Sequence, residues 1–197
     1  MNGFVRGAVL ALMLAPVAGA AQDLEAGFAA YEAGDYATAL REFTPLAEQG
    51  DASAQTNLGA MYGNGQGVPQ DYAEAAKWFR MAAEQGVPIA QNNLGAMYGN
   101  GQGVPQDYAE AVKWYRLAAA QGDAYAQYNL GVMYYIGDGV PQDYAEAHMW
   151  FNISAANGAT DAATNRDKVA AKLLPADISE AQRRAKVCMA SGYQDCD

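Results

Sequence analysis

The sequence predicts an all-α fold, a solenoid of stacked helix-turn-helix repeats. A 36-residue unit stands three times in succession, from Ala54, from Ala90 and, with edits, from Ala126, and only eight positions differ between the first two copies. Each copy alternates apolar residues at helical spacing with one glycine-rich break, the pattern of an αα-hairpin. A unit this short buries its apolar face only against its neighbours, so tandem copies must stack.

Taken from the start, Met1 to Arg6 carries one positive charge, Gly7 to Val17 is almost wholly apolar, and Ala18-Gly19-Ala20 supplies small residues. Residues 1–20 are expected to be a secretory signal, cleaved after Ala20 with Ala21 the nearest alternative. The apolar run is too short for a membrane span of about 20 residues. This predicts a periplasmic or secreted protein with no stable membrane insertion. No cysteine follows the cleavage region, so no lipid anchor is expected there. The formal charge is −10 for the whole chain. An acidic chain repels phosphate backbones and anionic lipid surfaces, which excludes nucleic acid as the expected partner.

Residues 21–53 hold a degenerate opening hairpin, a helix from Gln22 to Ala33 and another from Tyr36 to Gln49. Asp35-Tyr36 falls 36 residues before Asp71-Tyr72, and Phe43 sits one phase before Phe79. The three full units span 54–89, 90–125 and 126–161. In the first, Ala54, Leu58, Gly59 and Tyr62 suit the buried stripe of a short helix. The run Gly63 to Gly67 is expected to break it, because glycine permits positive φ and lowers helix propensity. Asp71 reads as an N-cap, and Glu74 three residues on completes a capping box. A second helix from Tyr72 shows apolar residues at Ala75, Ala76, Phe79, Ala82 and Ala83, with Gly86 ending it. The alanines permit close helix approach, and Trp78, Phe79, Tyr62 and Tyr72 fill the space between hairpins. Equivalent aromatics recur at Trp114, Tyr115, Tyr98 and Tyr108, and at Trp150, Phe151, Tyr134 and Tyr144.

Residues 162–197 are expected to cap the open end of the stack. A helix is predicted from Thr160 to Leu174, broken by Pro175, and an amphipathic helix starts at Asp177 or Ser179 and runs through Met189. The chain has two cysteines, Cys188 and Cys196, whose close spacing outside any metal or redox motif predicts a structural disulfide.

The strings A-x-x-N-L-G-x-M-Y, G-x-G-V-P-Q-D-Y-x-x-A and W-[FY]-x-x-A-A-x-x-G resemble the Sel1-like repeat, a relative of the tetratricopeptide repeat. The match is close over about residues 50–158 and loose over 24–49, where Ala30 to Ala39 looks more like a plain tetratricopeptide unit. The resemblance implies a right-handed α/α superhelical solenoid, used as a non-catalytic adaptor for protein–protein contacts and frequently in bacterial envelope biology. Some secreted, cysteine-rich relatives have been linked to muropeptide or penicillin binding and weak β-lactamase activity. Those relatives carry a disulfide inside each repeat, and no repeat here contains cysteine.

Comparison between copies marks the expected binding face. The phases Ser53/Ile89/Tyr125, Thr56/Asn92/Tyr128, Ala60/Ala96/Val132 and Gly63/Gly99/Tyr135 vary while core phases stay fixed. Their spacing sets them on one side of the first helix. By analogy with tetratricopeptide solenoids, first helices line a concave groove. Tyr125, Tyr128, Val132, Tyr135 and Ile136, with Asn92 and Thr56, are the candidate contacts for a protein or peptide partner, since tyrosine clusters favour binding hot spots. The alternative is that these tyrosines pack beneath the C-terminal cap. A second functional reading is muropeptide binding, with Asn57, Asn93, Asn129, Asn64 and Asn100 as hydrogen-bonding groups.

Catalysis finds little support. The one histidine, His148, is expected to be a partly exposed helical residue where other copies have Ala76 and Val112. None of Ser53, Ser154, Ser179 and Ser191 begins the S-x-x-K of serine β-lactamases. The glycine loops follow no strand and recur at the repeat phase, so they are turns rather than a dinucleotide site. No catalytic residue, metal or cofactor is expected.

Overall fold

The structure, a computed structural model, describes residues 23–196. Ten α-helices and no strand form among the described residues: α1 (Leu24–Glu32), α2 (Tyr36–Glu48), α3 (Ala52–Asn64), α4 (Tyr72–Glu84), α5 (Pro88–Asn100), α6 (Tyr108–Ala119), α7 (Ala124–Ile136), α8 (Tyr144–Ala156), α9 (Ala162–Ala170) and α10 (Pro175–Ala190). The pairs α1/α2, α3/α4, α5/α6 and α7/α8 are hairpins, and each second helix packs on the first helix of the next pair. The result is the expected α/α solenoid. The expected signal segment lies outside the described residues.

Local chemistry explains the boundaries. Asp71 accepts N–H bonds from Ala73 and Glu74, Asp143 caps α8 in the same way, and Asp107 caps α6 through the Glu110 N–H alone. The reciprocal half of the expected capping box is absent. The Asp71 N–H donates instead to the Tyr62 carbonyl at 2.9 Å, and Glu74 turns to Lys77. The loop is therefore tied to the first helix of its own hairpin. First helices also run further than expected. Gly63 and Asn64 stay helical, and the helix stops at Gly65, whose φ of 68° is left-handed. At the end of α4 the Gly86 N–H reaches Ala83 O and the Val87 N–H reaches Ala82 O, a Schellman ending.

Packing runs as a chain of linked cores rather than one mass. The central cluster joins Ala75, Phe79, Ala82 and Ala83 of α4 to Ala90, Leu94 and Met97 of α5 and Trp114 of α6. Close approach depends on glycine inside the first helices. A Cβ at Gly95 would lie 2.8 Å from the Tyr115 ring, so only glycine admits that ring beneath α5.

A buried amide relay supplements this packing. Gln55, Gln91 and Gln127 are each buried within a first helix. Their amides donate to Ala47 O, Ala83 O and Ala119 O at 3.0, 3.1 and 3.2 Å, the closing turn of the preceding second helix. Their oxygens accept from Gln85, Gln121 and Asn157 at 2.7, 2.8 and 2.8 Å. Each relay joins three helices and satisfies a buried polar group at both ends.

At the C-terminus two expectations change. Pro175 begins α10 at its first position, where its missing N–H costs nothing, instead of merely breaking the preceding helix. That helix, α9, is shorter than predicted. Helices α9 and α10 both pack on α8 rather than forming a tight hairpin with each other. Cys188 and Cys196 form the expected disulfide. It holds the tail so that Tyr193 packs beside Gly122 and donates to Asn157 Oδ1 at 2.9 Å.

Candidate functional site

Helices α3, α5 and α7 contain no charged residue, although the chain carries 22 acidic and 12 basic side chains. Their exposed side is thus neutral in a molecule of net charge −10. Two recesses open on it. One, of about 200 Å³, includes Ala60, Gly63, Tyr72, Phe79, Asn93 and Ala96 in its lining. The other, of about 310 Å³, is lined by Val132, Tyr135, Phe151, Asn165, Lys168 and Val169. The two are the same place two repeats apart, since Ala60, Gly63, Phe79, Asn93 and Ala96 stand 72 residues before Val132, Tyr135, Phe151, Asn165 and Lys168. Between them Tyr115 replaces the phenylalanine, and its hydroxyl lies 3.9 Å from where a Gly99 Cβ would stand. Burial pushes that phenol up to about 12, so it stays neutral.

The structure divides the predicted contact residues into two groups. Tyr125, at 69% exposure, Tyr135 and Ile136 are open to solvent. Tyr135 stacks on Tyr144 with ring centroids 5.6 Å apart, which fixes its orientation. Tyr128 and Val132 pack instead with Ala147, Phe151 and Val169. The Tyr128 hydroxyl accepts from Asn165 Nδ2 of α9 at 2.7 Å, so the covered alternative holds for this tyrosine, while Val132 still lines the recess. Asn92 Oδ1 accepts from Asn129 Nδ2 at 2.9 Å, extending the same ladder one repeat back. The Thr56 hydroxyl turns onto its own helix, donating to Ala52 O at 2.7 Å.

Asn165, Lys168 and Lys172 complete this end of the face and were not among the expected contacts. A signal for them exists. They stand 36 residues after Asn129, Val132 and Ile136, so the phase persists in α9 after the motif has decayed. Lys172 Nζ sits 5.9 Å from the centre of the Tyr135 ring and 5.2 Å from that of Tyr144, within reach of a cation–π attraction.

His148 departs from expectation. It is buried at 1% exposure, and its Nδ1 has no hydrogen-bond partner. Burial holds its pKa below the ordinary 6.5, with Arg166 adding to the effect and Asp167 opposing it. The folded state therefore prefers neutral imidazole. As pH falls below 6.5 the unfolded chain binds the proton first, so stability declines on acidification by up to about 1.4 kcal/mol per pH unit. Thermal melts from pH 7 to pH 5.5 should show a steeper loss for the wild type than for His148→Val, which installs the residue of Val112. Parallel profiles would contradict this account. Among the described residues no group of three or more His, Cys, Asp or Glu could hold a metal ion.

Stacked hairpins with an uncharged first-helix face define a helical repeat scaffold. The chain belongs to the Sel1 repeat family, whose model matches residues 52–87, 88–123 and 124–158. These ranges begin two residues before the expected units, where α3, α5 and α7 start. The chain is similar to c5321, a protective antigen present in uropathogenic Escherichia coli strains and displaying an SLR fold. The identity is 46%, over 71% of this chain and 31% of that one, with a TM-score of 0.67. It is also similar to a Sel1 repeat protein from Oxalobacter formigenes, at 35% identity over 73% of this chain and 59% of that one, with a TM-score of 0.69. The chain thus covers less than two thirds of either structure's length. No curated protein matches it. Sel1 repeat proteins generally mediate protein–protein interaction, and the fold is generally a non-catalytic scaffold. The disulfide points to an oxidising, extracytoplasmic setting, and no described helix is long and apolar enough to cross a membrane.

Proposed function

We propose that this protein is a non-catalytic adaptor of the bacterial envelope, holding a peptide or protein partner along its first-helix groove. The observation that carries this reading is the neutral, recessed face built by α3, α5 and α7 in a chain of charge −10. A partner's backbone can shed water there without stranding a charge. Tyr125, Tyr135 and Ile136 supply stiff, accessible contact area, while Tyr128, Val132, Asn92 and Thr56 shape the floor. Capture of envelope proteins by the wild type and by Tyr125→Ala/Tyr135→Ala tests it. The double variant should retain its melting temperature and lose at least tenfold in capture; equal capture by the folded variant would remove the proposal. Tyr128 is left intact in this test because it holds α9.

Muropeptide binding is the second reading, supported by the asparagines that recur along the same face at Asn57, Asn93 and Asn129. Co-sedimentation with purified peptidoglycan, abolished by soluble muropeptide, would favour it over the adaptor.

A further inference from the structure

We propose that the recess between α7, α8 and α9 receives the C-terminal residue of a polypeptide. An apolar side chain enters the cavity while the free carboxylate meets Lys168 and Lys172. This deepens the groove reading and rests on it.

The cavity has two distinct kinds of wall. Val132, Phe151 and Val169 form an apolar floor with room for a leucine or phenylalanine side chain within about 310 Å³. Lys168 lines the same space, and Lys172 stands one turn further along the chain, over the rings of Tyr135 and Tyr144. Among the described residues neither ammonium group has an acidic partner. Arg41, Lys77, Lys113, Arg166, Arg183 and Arg184 are ion-paired. Arg80 and Arg116 donate instead to the Tyr98 and Tyr134 hydroxyls, and Lys186 of α10 shares the lack of an acidic partner among the described residues. Asp167, the acid nearest on α9, is held by Arg166 at 2.8 Å. Lys168 makes only a long hydrogen bond to Asn165 Oδ1, at 3.5 Å. Two exposed, unpaired cations beside an apolar cavity, in so acidic a chain, are complementary to an anion joined to an apolar group.

A chain terminus meets that requirement with one residue, since its side chain and α-carboxylate diverge from the same carbon. An internal aspartate or glutamate does not, because its carboxylate would occupy the place of the apolar group and be desolvated against Val132 and Val169. The equivalent recess two repeats earlier shows the contrast. There Ala96 stands where Lys168 stands, so no cation faces that cavity. The groove is therefore neutral at one end and cationic at the other, which sets the direction of the bound chain.

The test uses the purified secreted chain and octapeptides immobilised by their N-termini. The peptides have random interiors, end in Leu, Phe, Ser or Asp, and are made both as free acids and as C-terminal amides. Leu- and Phe-terminated acids should be retained at least tenfold more strongly than their amides. Lys168→Gln/Lys172→Gln, both at exposed positions, should lose most of that preference at an unchanged melting temperature. Equal retention of acids and amides, or a preference that survives in the double variant, would overturn the terminus reading while leaving the groove in place. Retention of no peptide would overturn it too, and the capture experiment then judges the groove independently.

Discussion

Replacing Trp114 with alanine is expected to lower the stability of the whole array by about 3–5 kcal/mol, the usual cost of truncating a buried tryptophan. The site allows little relief. Trp114 is 9% exposed and packs with Leu94, Met97 and Ala90 of α5 and with the small residues of α4. Those neighbours are mostly alanines on rigid helices, which cannot close over the lost ring. The position is also central, so damage is felt by the hairpins on both sides, whose stability comes from nearest-neighbour interfaces. The indole Nε1 is buried without a hydrogen-bond partner. The ring's apolar bulk, not its N–H, must therefore carry the energy. Trp114→Phe should cost well under half as much as Trp114→Ala in denaturant unfolding. Equal losses would show that the indole nitrogen matters in a way this packing does not explain.

Gly103→Ala is expected to cost on the order of 3 kcal/mol, and its comparison with Gly86→Ala separates two causes. Both glycines have positive φ, 71° and 91°. An alanine in that conformation costs about 1–2 kcal/mol by itself. At Gly86 nothing lies within 4 Å of the added methyl, so only this term applies. At Gly103 the methyl would overlap the backbone of Tyr72 and Ala73, the first turn of α4 in the preceding hairpin. Backbone at a helix start cannot rotate away, so overpacking adds about 1–3 kcal/mol. The second glycine of each G-x-G loop is thus a docking point between repeats as well as a turn. Chemical denaturation of the two variants should show Gly103→Ala losing at least 1 kcal/mol more than Gly86→Ala.

Most of the fold was legible because the repeat declares itself. Apolar spacing at Ala75, Phe79 and Ala82, the Asp71 cap and the Gly86 ending each act within a few residues, and each holds. What was misread depends on contacts between segments. Glu74 fits a capping box by spacing, but the Asp71 N–H already serves the Tyr62 carbonyl. Gly63 looks like a helix breaker, but its backbone is helical and the left-handed turn waits for Gly65. His148 looks like a surface substitution until α9 and α10 pack on α8 and bury it. The proposed binding face was only half legible. Tyr125, Tyr135 and Ile136 stay open, whereas Tyr128 and Val132 meet α9, whose own sequence no longer spells the repeat motif. Lys168 and Lys172 escaped notice for that reason, although counting 36 residues onward would have found both. The buried glutamines Gln55, Gln91 and Gln127 sit unremarked in the most regular part of the motif, because a polar residue at a fixed phase reads as surface until its partners are seen.

The most direct test of the central claim is site-specific photo-crosslinking in cells that make the protein, with a benzophenone side chain placed on either face. Ile89 on α5 and Tyr125 on α7 lie on the first-helix face, and Leu117 on α6 lies on a second helix; all three are exposed. A discrete polypeptide adduct from positions 89 and 125, with none from 117, is the predicted result. An adduct from 117 alone would place recognition on the opposite side of the solenoid and contradict the account.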